Sequence, residues 1–407
     1  MRDSWDPTQL LARRARDLLA NAGPSYAPPR EQVLRLAAGV PDPTVFPVEE
    51  LVQTFERMLR SRGELALQYG GNQGNAELRH ALAERVNRQE GLALTADNFM
   101  LTGGAAQALE NVCFSLVDPG DVVICENPTF GLSIRTIRAH EGELIGIPLD
   151  DDGPLPDAFE RALSQAEASG RRAKFLYVTP NFQNPTAITF SLERRLRLLD
   201  LASRHGCLIV EDDAYGDLRF EGEAVPSFYA LADGRGVIRM GSYSKTIGPG
   251  LRLGWTQAQP ELLQALVAMR LDMGTAPLVT YLVAEFVASG AFNGHLERVL
   301  LFYKDKRDRF LAALGEHFDG LARWRAPEGG FFVWIELPEG VSGEKIAEEA
   351  MQERIMIAPG SRFYCQDACA NYMRLAFSFI AAEEIETAVS RLAKILRRNI
   401  AAQSVRR

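Results

Sequence analysis

One lysine of this chain stands in a stretch that could make it a nucleophile. Lys245 follows two serines, Ser242 and Ser244, and Arg252 comes seven residues later. The apolar run at residues 236–240 predicts a strand that ends just before these residues. An amine held in such a turn can lose its water, so that its pKa falls and it can attack a carbonyl carbon. Taken alone, however, such a lysine is more typical of a solvated loop.

Four other lysines show a contrasting pattern. Lys304, Lys306, Lys345 and Lys394 lie in charged segments with helical periodicity, and we expect them to be solvated. A solvated lysine keeps its proton at neutral pH because nothing lowers its pKa. These four are therefore poor candidates for nucleophilic chemistry.

The segments that would position Lys245 alternate between short apolar runs and helical patterns. The predicted strands lie at residues 98–102, 122–125, 144–148, 174–178, 207–211, 236–240 and 251–257. Short apolar strands that alternate with helices indicate a mostly parallel sheet with helices on both faces. After residue 260, helices and three further strands predict a smaller α/β unit; those strands lie at residues 331–336, 355–358 and 372–379.

Small, aromatic and polar residues follow the predicted strands at their carboxyl ends, where open α/β sheets bind ligands. Gly104, Ala105 and Ala106 open a helix after the first strand, and the free N–H groups of a helix N-terminus suit a phosphate. Phe130 follows the second strand and offers an aromatic face. Asn184 follows the fourth strand, and its amide can donate a hydrogen bond to an oxygen. Each residue taken alone is also an ordinary turn former.

Two adjacent carboxylates, Asp212 and Asp213, follow the fifth strand and suggest a buried or cationic partner; Tyr215 comes two residues later. Together with Lys245, these strand-end groups suit a ligand with a phosphate, a flat ring, a ring oxygen, a protonated ring nitrogen and a reactive carbonyl. Pyridoxal 5′-phosphate has all of these features. The sequence therefore predicts this cofactor.

The motifs in combination resemble a known family. They are Asn184-Pro185-Thr186, Asp212-x-Ala214-Tyr215, Ser242-x-Ser244-Lys245 and Arg252. Over about residues 30–395 the chain is similar to the fold-type-I pyridoxal-phosphate aminotransferases of class I/II, and most of all to the 2-aminoadipate/kynurenine branch. The resemblance implies an aspartate-aminotransferase-like α/β fold. Its large domain would hold a mostly parallel seven-stranded sheet between helices, beside a smaller α/β domain.

The resemblance also implies how the chain divides. We expect an N-terminal arm at residues 1–45, which belongs in part to the small domain and includes a proline-rich stretch at Pro24, Pro28 and Pro29. Residues 46–290 would form the large cofactor-binding domain, and residues 291–407 the C-terminal small domain. Members of the family are usually homodimers with active sites at the interface, so we expect a homodimer here.

The resemblance further implies a role for each strand-end residue. Lys245 would form the Schiff base with the cofactor and later carry the proton, while Asp212 would keep the pyridine nitrogen protonated. Tyr215 and Asn184 would hydrogen-bond the ring hydroxyl, and Phe130 would stack on the ring at a position where relatives often have Tyr or Trp. Catalysis would thus depend on Lys245, Asp212 and Tyr215.

Phosphate and substrate contacts follow from the same resemblance. The groups expected at the phosphate are the backbone of Gly104, Ala105 and Ala106, the side chains of Ser242, Ser244 and Arg252, and Tyr69 from the partner subunit. Arg374 would bind the substrate α-carboxylate in a bidentate fork, with Asn184 and the turn at Gly39 beside the substrate. A solvated strand arginine is the alternative for Arg374. The chain departs from the family where Ala105-Ala106 replaces Ser-Gln, and at Ala187 and Ala38, where relatives often have glycine.

Composition excludes several other classes. A net charge of −8 and a pI near 5.4 argue against a nucleic-acid partner. No apolar run reaches the roughly 18 residues that span a bilayer, and the N-terminus lacks the apolar core of a signal peptide. The five cysteines and five histidines show no paired metal-ligand spacing. We therefore expect a cytoplasmic protein without a metal site.

Three functions are compatible with these residues. The first is transamination, in which an α-amino acid and a 2-oxo acid exchange an amino group. The second keeps the cofactor but performs β- or γ-elimination, replacement or cyclisation on an amino acid in specialised biosynthesis. The third is a non-catalytic aminotransferase-like sensor fused to a DNA-binding module. Such a module needs on the order of 60 residues before the fold, and only about 30 precede it here. We expect transamination.

Overall fold

The structure, a computed structural model, describes residues 6–20 and 33–404. The proline-rich stretch at Pro24, Pro28 and Pro29 lies outside the described residues. Within the described ranges, no helix combines the length and apolar character needed to cross a membrane.

Strands and helices alternate through most of the chain, as the hydrophobic periodicity predicts. The strands are β1 Leu34–Arg35, β2 Phe99–Thr102, β3 Val122–Asn127, β4 Glu143–Asp150, β5 Gly153–Pro154, β6 Ala173–Val178, β7 Leu208–Asp212, β8 Val237–Ser242, β9 Gly254–Gln257, β10 Arg323–Trp324, β11 Phe332–Glu336, β12 Ile355–Met356, β13 Ala358–Pro359 and β14 Tyr372–Ala376. The α-helices are α1 Arg13–Ala20, α2 Val48–Leu67, α3 Ala76–Glu90, α4 Ala105–Leu116, α5 Gly131–Ala139, α6 Pro156–Ala168, α7 Leu192–His205, α8 Phe228–Leu231, α9 Pro260–Ala268, α10 Pro277–Ala288, α11 Ala291–His317, α12 Gly343–Gln352 and α13 Ile385–Ser404. Short 3-10 helices lie at Pro7–Leu10, Pro43–Val45, Ala96–Asn98, Pro249–Leu251, Gly360–Phe363 and Ala382–Glu384.

A large sheet positions the strand ends that the sequence singles out. Its order is β2-β9-β8-β7-β6-β3-β4-β5. Strands β4, β3, β6, β7 and β8 pair in parallel, whereas β9 is antiparallel to both β8 and β2. The seven longer strands agree with the mostly parallel seven-stranded sheet predicted above. The two-residue strand β5 adds an eighth, antiparallel to β4.

Helices cover both faces of this sheet, which is why its central strands are apolar throughout. Successive residues of β3 point to opposite faces. Ile124 packs among residues of α6 and α7 on one face. Val123 and Cys125 pack among residues of α4 on the other face. All three side chains are fully buried.

A smaller antiparallel sheet, of order β10-β11-β14-β13, lies with α11, α12 and α13 in the last third of the chain. The beginning of the chain joins this unit, since β1 pairs in parallel with β12, with Leu34 opposite Ile355. The predicted boundary near residue 290 falls at Gly290, between α10 and α11. The division into domains stays a prediction.

Candidate active site

Lys245 lies three residues beyond the end of β8, in a turn that faces the N-terminal part of the chain. Its Nζ donates a hydrogen bond to the carbonyl oxygen of Gly39 at 2.9 Å. The surrounding protein keeps water from the amine, and this, with the cationic Arg374 nearby, lowers the pKa of Lys245 to about 8. A lysine with this pKa has a usable fraction of neutral amine near neutral pH.

Asp212 ends β7 with a buried carboxylate. Its Oδ2 accepts a hydrogen bond from the Tyr177 hydroxyl at 2.7 Å, and its Oδ1 accepts one from the Ala214 N–H at 3.2 Å. Burial raises the pKa of Asp212 to about 6, although the two hydrogen bonds act in the opposite direction. The hydroxyl of Ser133 in turn donates to the Tyr177 oxygen at 2.7 Å. Ser133, Tyr177 and Asp212 thus form a chain of donors that ends on the carboxylate, which we call the Asp212 relay.

The neighbouring Asp213 points away from this carboxylate and belongs to a separate ionic network. Its Oδ2 accepts from Arg239 Nη2 at 2.6 Å, and its Oδ1 accepts from Asn181 at 2.7 Å. Arg239 also pairs with Glu90 at the end of α3. The two adjacent carboxylates therefore have different surroundings. Asp213 forms an ion pair with Arg239, whereas Asp212 lines a cavity.

A cavity of about 210 Å³ opens at the carboxyl ends of the parallel strands. Its lining includes every residue proposed above for the cofactor ring and phosphate except Tyr69: Gly104, Ala105, Ala106, Phe130, Asn184, Asp212, Tyr215, Ser242, Ser244, Lys245 and Arg252. The parallel pairing of β3, β6, β7 and β8 brings the residues after these strands to one edge of the sheet. The end of β2 lies at the same edge, because β9 is antiparallel to both β2 and β8.

One end of the cavity is suited to an anion. The helix α4 begins at Ala105, and Gly104 before it has φ +90°, a conformation that favours glycine. Arg252 reaches the same place, with its Nη2 at 2.8 Å from the carbonyl oxygen of Gly103. A Cβ on residue 104 would lie 3.3 Å from that guanidinium nitrogen. Backbone N–H groups, a helix dipole and a cation therefore meet at one point.

Arg374 on β14 lies beside the cavity rather than in solvent. Its side chain is buried, and its Nη1 donates to Asn184 Oδ1 at 2.7 Å. Its guanidinium carbon lies 4.2 Å from the ring centre of Phe332 and 4.7 Å from that of Phe363. The alternative of a solvated strand arginine therefore does not describe this residue. Two phenyl rings hold its guanidinium plane in place.

Residues 36–42, which we call the N-terminal strap, close the site from the other side. The carbonyl oxygen of Ala37 accepts from Arg374 Nη2 at 2.6 Å, and that of Gly39 accepts from Lys245. Gly39 packs so tightly on Phe332 that any Cβ at this position would overlap the ring. The strap therefore contacts both Lys245 and Arg374 through its backbone.

A buried ion pair anchors the end of the strap. Lys306 Nζ donates to Asp42 Oδ2 at 2.8 Å and to the carbonyl oxygen of Ser378 at 2.7 Å. The expectation that Lys306 is solvated is wrong, because its residue is only 1% exposed. Its segment of α11 is charged on average, but this position faces the strap and not water.

Sequence reasoning missed several residues that support the site from behind. Gln183 donates to Glu126 Oε1 at 2.8 Å and accepts from the Thr186 N–H at 2.8 Å, so it fixes the loop that carries Asn184. Burial raises the pKa of Glu126 to about 8. Tyr177 and Ser133 were also missed, since a tyrosine inside an apolar strand gives the pattern of a core residue.

Tyr69 stands apart from this constellation. It follows α2 in an exposed loop, is 77% exposed and does not line the cavity of its own chain. Its predicted role requires a second subunit and stays a prediction.

Three comparisons agree with this geometry. The model of the family "Aminotransferase class I and II" matches residues 31–392. The chain is 35% identical over 367 residues to aromatic-amino-acid aminotransferase 1 of Thermococcus litoralis, covering 90% of this chain and 88% of that protein. It is 36% identical over 373 residues to the 2-aminoadipate transaminase of Thermus thermophilus, covering 90% and 91%.

A solved structure has the same fold over nearly its whole length. It is a kynurenine aminotransferase of Pyrococcus horikoshii, solved in complex with PMP, with kynurenine as substrate and KYA as product. The TM-score is 0.87 at 32% identity, and the match covers 97% of both chains. Ligands of this type fit the donor set found here: a lysine amine, a buried carboxylate and a helix N-terminus around one cavity.

Proposed function

The chain belongs to the class I and II aminotransferases, and on that basis we propose how its own residues carry out the reaction. It is a pyridoxal-phosphate-dependent enzyme that moves an amino group between an α-amino acid and a 2-oxo acid. When bound, the cofactor supplies an aldehyde for an amine and a ring that withdraws electrons from the reacting carbon.

Lys245 would be the amine that holds the cofactor and the base that moves the proton of the substrate. Its lowered pKa of about 8 supports this role, because a neutral amine is both the nucleophile and the base. About one molecule in ten would carry the neutral amine at pH 7. The Gly39 carbonyl oxygen, which accepts from Nζ, orients the amine until the cofactor binds.

Asp212, Tyr215, Asn184 and Phe130 hold the ring. The carboxylate of Asp212 keeps a proton on the ring nitrogen, so that the ring can accept electrons. Tyr215 and Asn184 would hydrogen-bond the ring hydroxyl, and Phe130 would cover one face; all three line the cavity. The burial of Asp212 supports its role, because an ion pair with a ring cation is stronger where water is excluded.

The helix N-terminus holds the phosphate. The groups proposed there are the N–H groups of Gly104, Ala105 and Ala106, the hydroxyls of Ser242 and Ser244, and the guanidinium of Arg252. Alanines at 105 and 106 add no side-chain donor, so the backbone and Arg252 contribute most of the binding. The positive φ of Gly104 supports this, because it lets the backbone approach an anion closely.

Arg374 binds the substrate α-carboxylate, and the N-terminal strap around Gly39 covers the substrate. The two phenyl rings over the guanidinium support this role, since they fix the plane that a bidentate carboxylate needs. Relatives are named for aromatic amino acids, 2-aminoadipate and kynurenine. We propose that these compounds are among the amino donors of this enzyme.

The enzyme acts as a homodimer with shared sites. Exposed apolar side chains support this, because patches of this kind mark association surfaces. They are Val48 and Val52, one turn apart on α2, and Leu67, Tyr69, Leu271 and Met273, each between 57% and 81% exposed. The loops that carry Tyr69 and Leu271 contact each other, as Asn72 donates to the Arg270 carbonyl oxygen at 3.1 Å. Tyr69 would reach the phosphate of the partner subunit from this surface.

A mixing experiment tests the shared sites. Subunits with Tyr69→Ala and subunits with Lys245→Ala should each be inactive or strongly impaired alone. A hybrid dimer would restore one site, which takes Lys245 from one subunit and Tyr69 from the other. If mixed and reassociated subunits recover no turnover while light scattering shows dimers, Tyr69 does not act across the interface.

We also propose a cytoplasmic location and a role in amino-acid biosynthesis. Cell fractionation would test the location, and growth of a deletion strain would test the role.

The convergence of Lys245, Asp212 and the α4 N-terminus on one cavity supports the residue roles most strongly. Borohydride reduction of the holoenzyme, followed by digestion and mass spectrometry, should find the reduced adduct on the peptide that contains Lys245. Lys245→Ala should carry no adduct and should transfer no amino group from any donor of an amino-acid panel. Lys345→Ala is the matched control, because Lys345 is an exposed helix lysine. An adduct on a different peptide would overturn the assignment.

A further inference from the structure

Two cysteines that have no role in transamination meet beside the site. Cys125 lies on β3 and Cys365 follows the 3-10 helix Gly360–Phe363, yet their sulfur atoms are 3.7 Å apart. Cys125 is fully buried, whereas Cys365 is partly exposed. A Cβ at residue 146 would lie 2.6 Å from Cys365 Sγ, so only a glycine at this position leaves room for the sulfur. The two thiols are therefore in contact although 240 residues separate them.

The segment that carries Cys365 is bound to the ends of the central strands. The N–H of Cys365 donates to Asn127 Oδ1 at 3.0 Å, and Asn127 Nδ2 donates to the carbonyl oxygen of Gln366 at 2.9 Å. Arg138 Nη2 donates to the carbonyl oxygen of Cys365 at 2.7 Å. We call this set of contacts the Cys365 clasp. It joins the last third of the chain to β3 and α5 by hydrogen bonds, and no covalent bond is among these contacts.

The Cys365 clasp adjoins the substrate side of the site. Two residues before Cys365, the ring of Phe363 lies on the Arg374 guanidinium. The carbonyl oxygen of Phe363 accepts from the Thr129 N–H at 2.7 Å, and Thr129 precedes Phe130 in the cavity wall. Arg374 is only 6% exposed. The segment with Phe363 therefore covers Arg374 together with Phe332 and the N-terminal strap, so holding this segment in place would affect how a substrate reaches the arginine.

We propose that Cys125 and Cys365 form an oxidation site, at which a peroxide joins the two thiols in a disulfide that locks the Cys365 clasp and slows turnover. The sulfurs need only approach from 3.7 Å to about 2.0 Å. In the reduced protein the clasp is held by hydrogen bonds, which can open. A disulfide would add a covalent link, which cannot open without a reductant. Disulfides in cytosolic proteins are typically reversible and redox-sensing, which suits a lock of this kind.

Cys365, the more exposed of the two cysteines, reacts first. Cys365 sulfur attacks one peroxide oxygen, an S–O bond forms, the O–O bond breaks, and hydroxide leaves to become water. Cys125 sulfur then attacks Cys365 sulfur, the S–S bond forms, and the S–O bond breaks with loss of a second water. Two thiols lose two electrons in all, and the peroxide gains them. The hydrogen bond from Cys125 and the charge of Arg138 lower the pKa of Cys365, which favours this order.

Peptide mapping of the oxidised holoenzyme tests the site without reference to activity. After treatment with hydrogen peroxide and alkylation, a digest made without reductant should contain one linked pair of peptides, with Cys125 and Cys365. Free thiols should fall from five to three per chain. Turnover should fall several-fold at the same time and return with dithiothreitol. A link between Cys365 and Cys369, or no link, would overturn the proposal.

Three variants separate the lock from general oxidative damage. Cys125→Ala and Cys365→Ala should keep the turnover of the reduced enzyme and lose its sensitivity to peroxide. Cys369→Ala is the matched control, because Cys369 is exposed and lies outside the clasp; it should remain as sensitive as the wild type. Equal inactivation of all three variants, or a disulfide that leaves turnover unchanged, would show that the pair is not a lock. Peptide mapping of the wild-type enzyme detects the disulfide even if one of the variants fails to fold.

Discussion

The Asp212 relay allows a prediction about cofactor binding that can be worked out in numbers. Tyr177→Phe removes the hydroxyl that donates to Asp212 at 2.7 Å and leaves the buried ring in place. A hydrogen bond to a charged group is worth about 1.5–3 kcal/mol. A loss of about 2 kcal/mol would raise the pKa of Asp212 from about 6 to about 7.5, since about 1.4 kcal/mol corresponds to one pH unit.

The dissociation constant of the cofactor should rise, because its protonated ring nitrogen needs a charged carboxylate as a partner. A protonated Asp212 cannot pair with a protonated ring nitrogen, so affinity depends on the fraction of carboxylate. With the two pKa values above, that fraction falls about 16-fold at pH 6, about fourfold at pH 7, and hardly at all at pH 9. The dissociation constant of the cofactor, measured by titration of the cofactor-free protein, should rise by these factors in Tyr177→Phe relative to wild type.

The ratio of the two dissociation constants is the quantity to follow, because the cofactor's own titration cancels in it. Ser133→Ala should give a smaller rise with the same pH dependence, since Ser133 reaches Asp212 through its hydrogen bond to Tyr177. Tyr229→Phe is the control, because Tyr229 is equally buried but packs on the opposite face of the sheet. A ratio that is constant from pH 6 to pH 9, or a ratio of one throughout, would refute the reasoning.

Three further predictions follow from the N-terminal strap and the site lysine. Gly39→Ala should force the strap away from Phe332, at a cost of about 1–3 kcal/mol, which kinetics would show as a higher KM for the amino donor. Lys306→Met should leave the carboxylate of Asp42 buried without its partner, and denaturant unfolding should show a loss of about 3–5 kcal/mol. The rate at which the cofactor-free protein incorporates cofactor should rise with pH as Lys245 loses its proton and should level off above about pH 8; a plateau already reached at pH 6.5 would contradict the lowered pKa.

The controls for the Gly39 and Lys306 variants change the same residue types at positions outside the strap. Gly63→Ala lies within α2, where the nearest side-chain atom to a new Cβ is 3.9 Å away, and it should leave KM unchanged. Lys304→Met removes an exposed ion pair with Asp308 and should cost no more than about 1 kcal/mol. A Lys306→Met variant as stable as Lys304→Met would show that the buried pair does not hold the strap.

The sequence was sufficient to predict the cavity but not what lies behind it. Lys245, Asp212 and Gly104 each follow an apolar strand, and the rule that parallel strands end at one edge brings them together. Tyr177 and Lys306 follow no such rule. Tyr177 sits in a strand whose residues all look like core, and Lys306 sits in a charged helix. Their roles depend on which neighbour each side chain meets in three dimensions, and periodicity does not give that information.

The direction of the last strand of the large sheet was not predicted. The apolar run at residues 251–257 predicts a strand, and the structure has one at β9, but it pairs antiparallel to β8 because the connection between them is too short for a crossover. The two-residue strand β5 carries no alternation to detect. In contrast, a period of two places Arg374 on the face of β14 opposite Met373 and Leu375, which pack in the core of the smaller unit.

The N-terminal strap also has a consequence for the order in which the enzyme is made. Ala37, whose carbonyl oxygen accepts from Arg374, precedes that arginine by 337 residues, so the ribosome makes the strap well before β14. A nascent chain that ends before β14 already contains the large sheet and the phosphate-binding turn. It still lacks Arg374, which the strap contacts in the complete fold. Capacity to hold the cofactor should therefore arise on the ribosome earlier than capacity to recognise an amino acid.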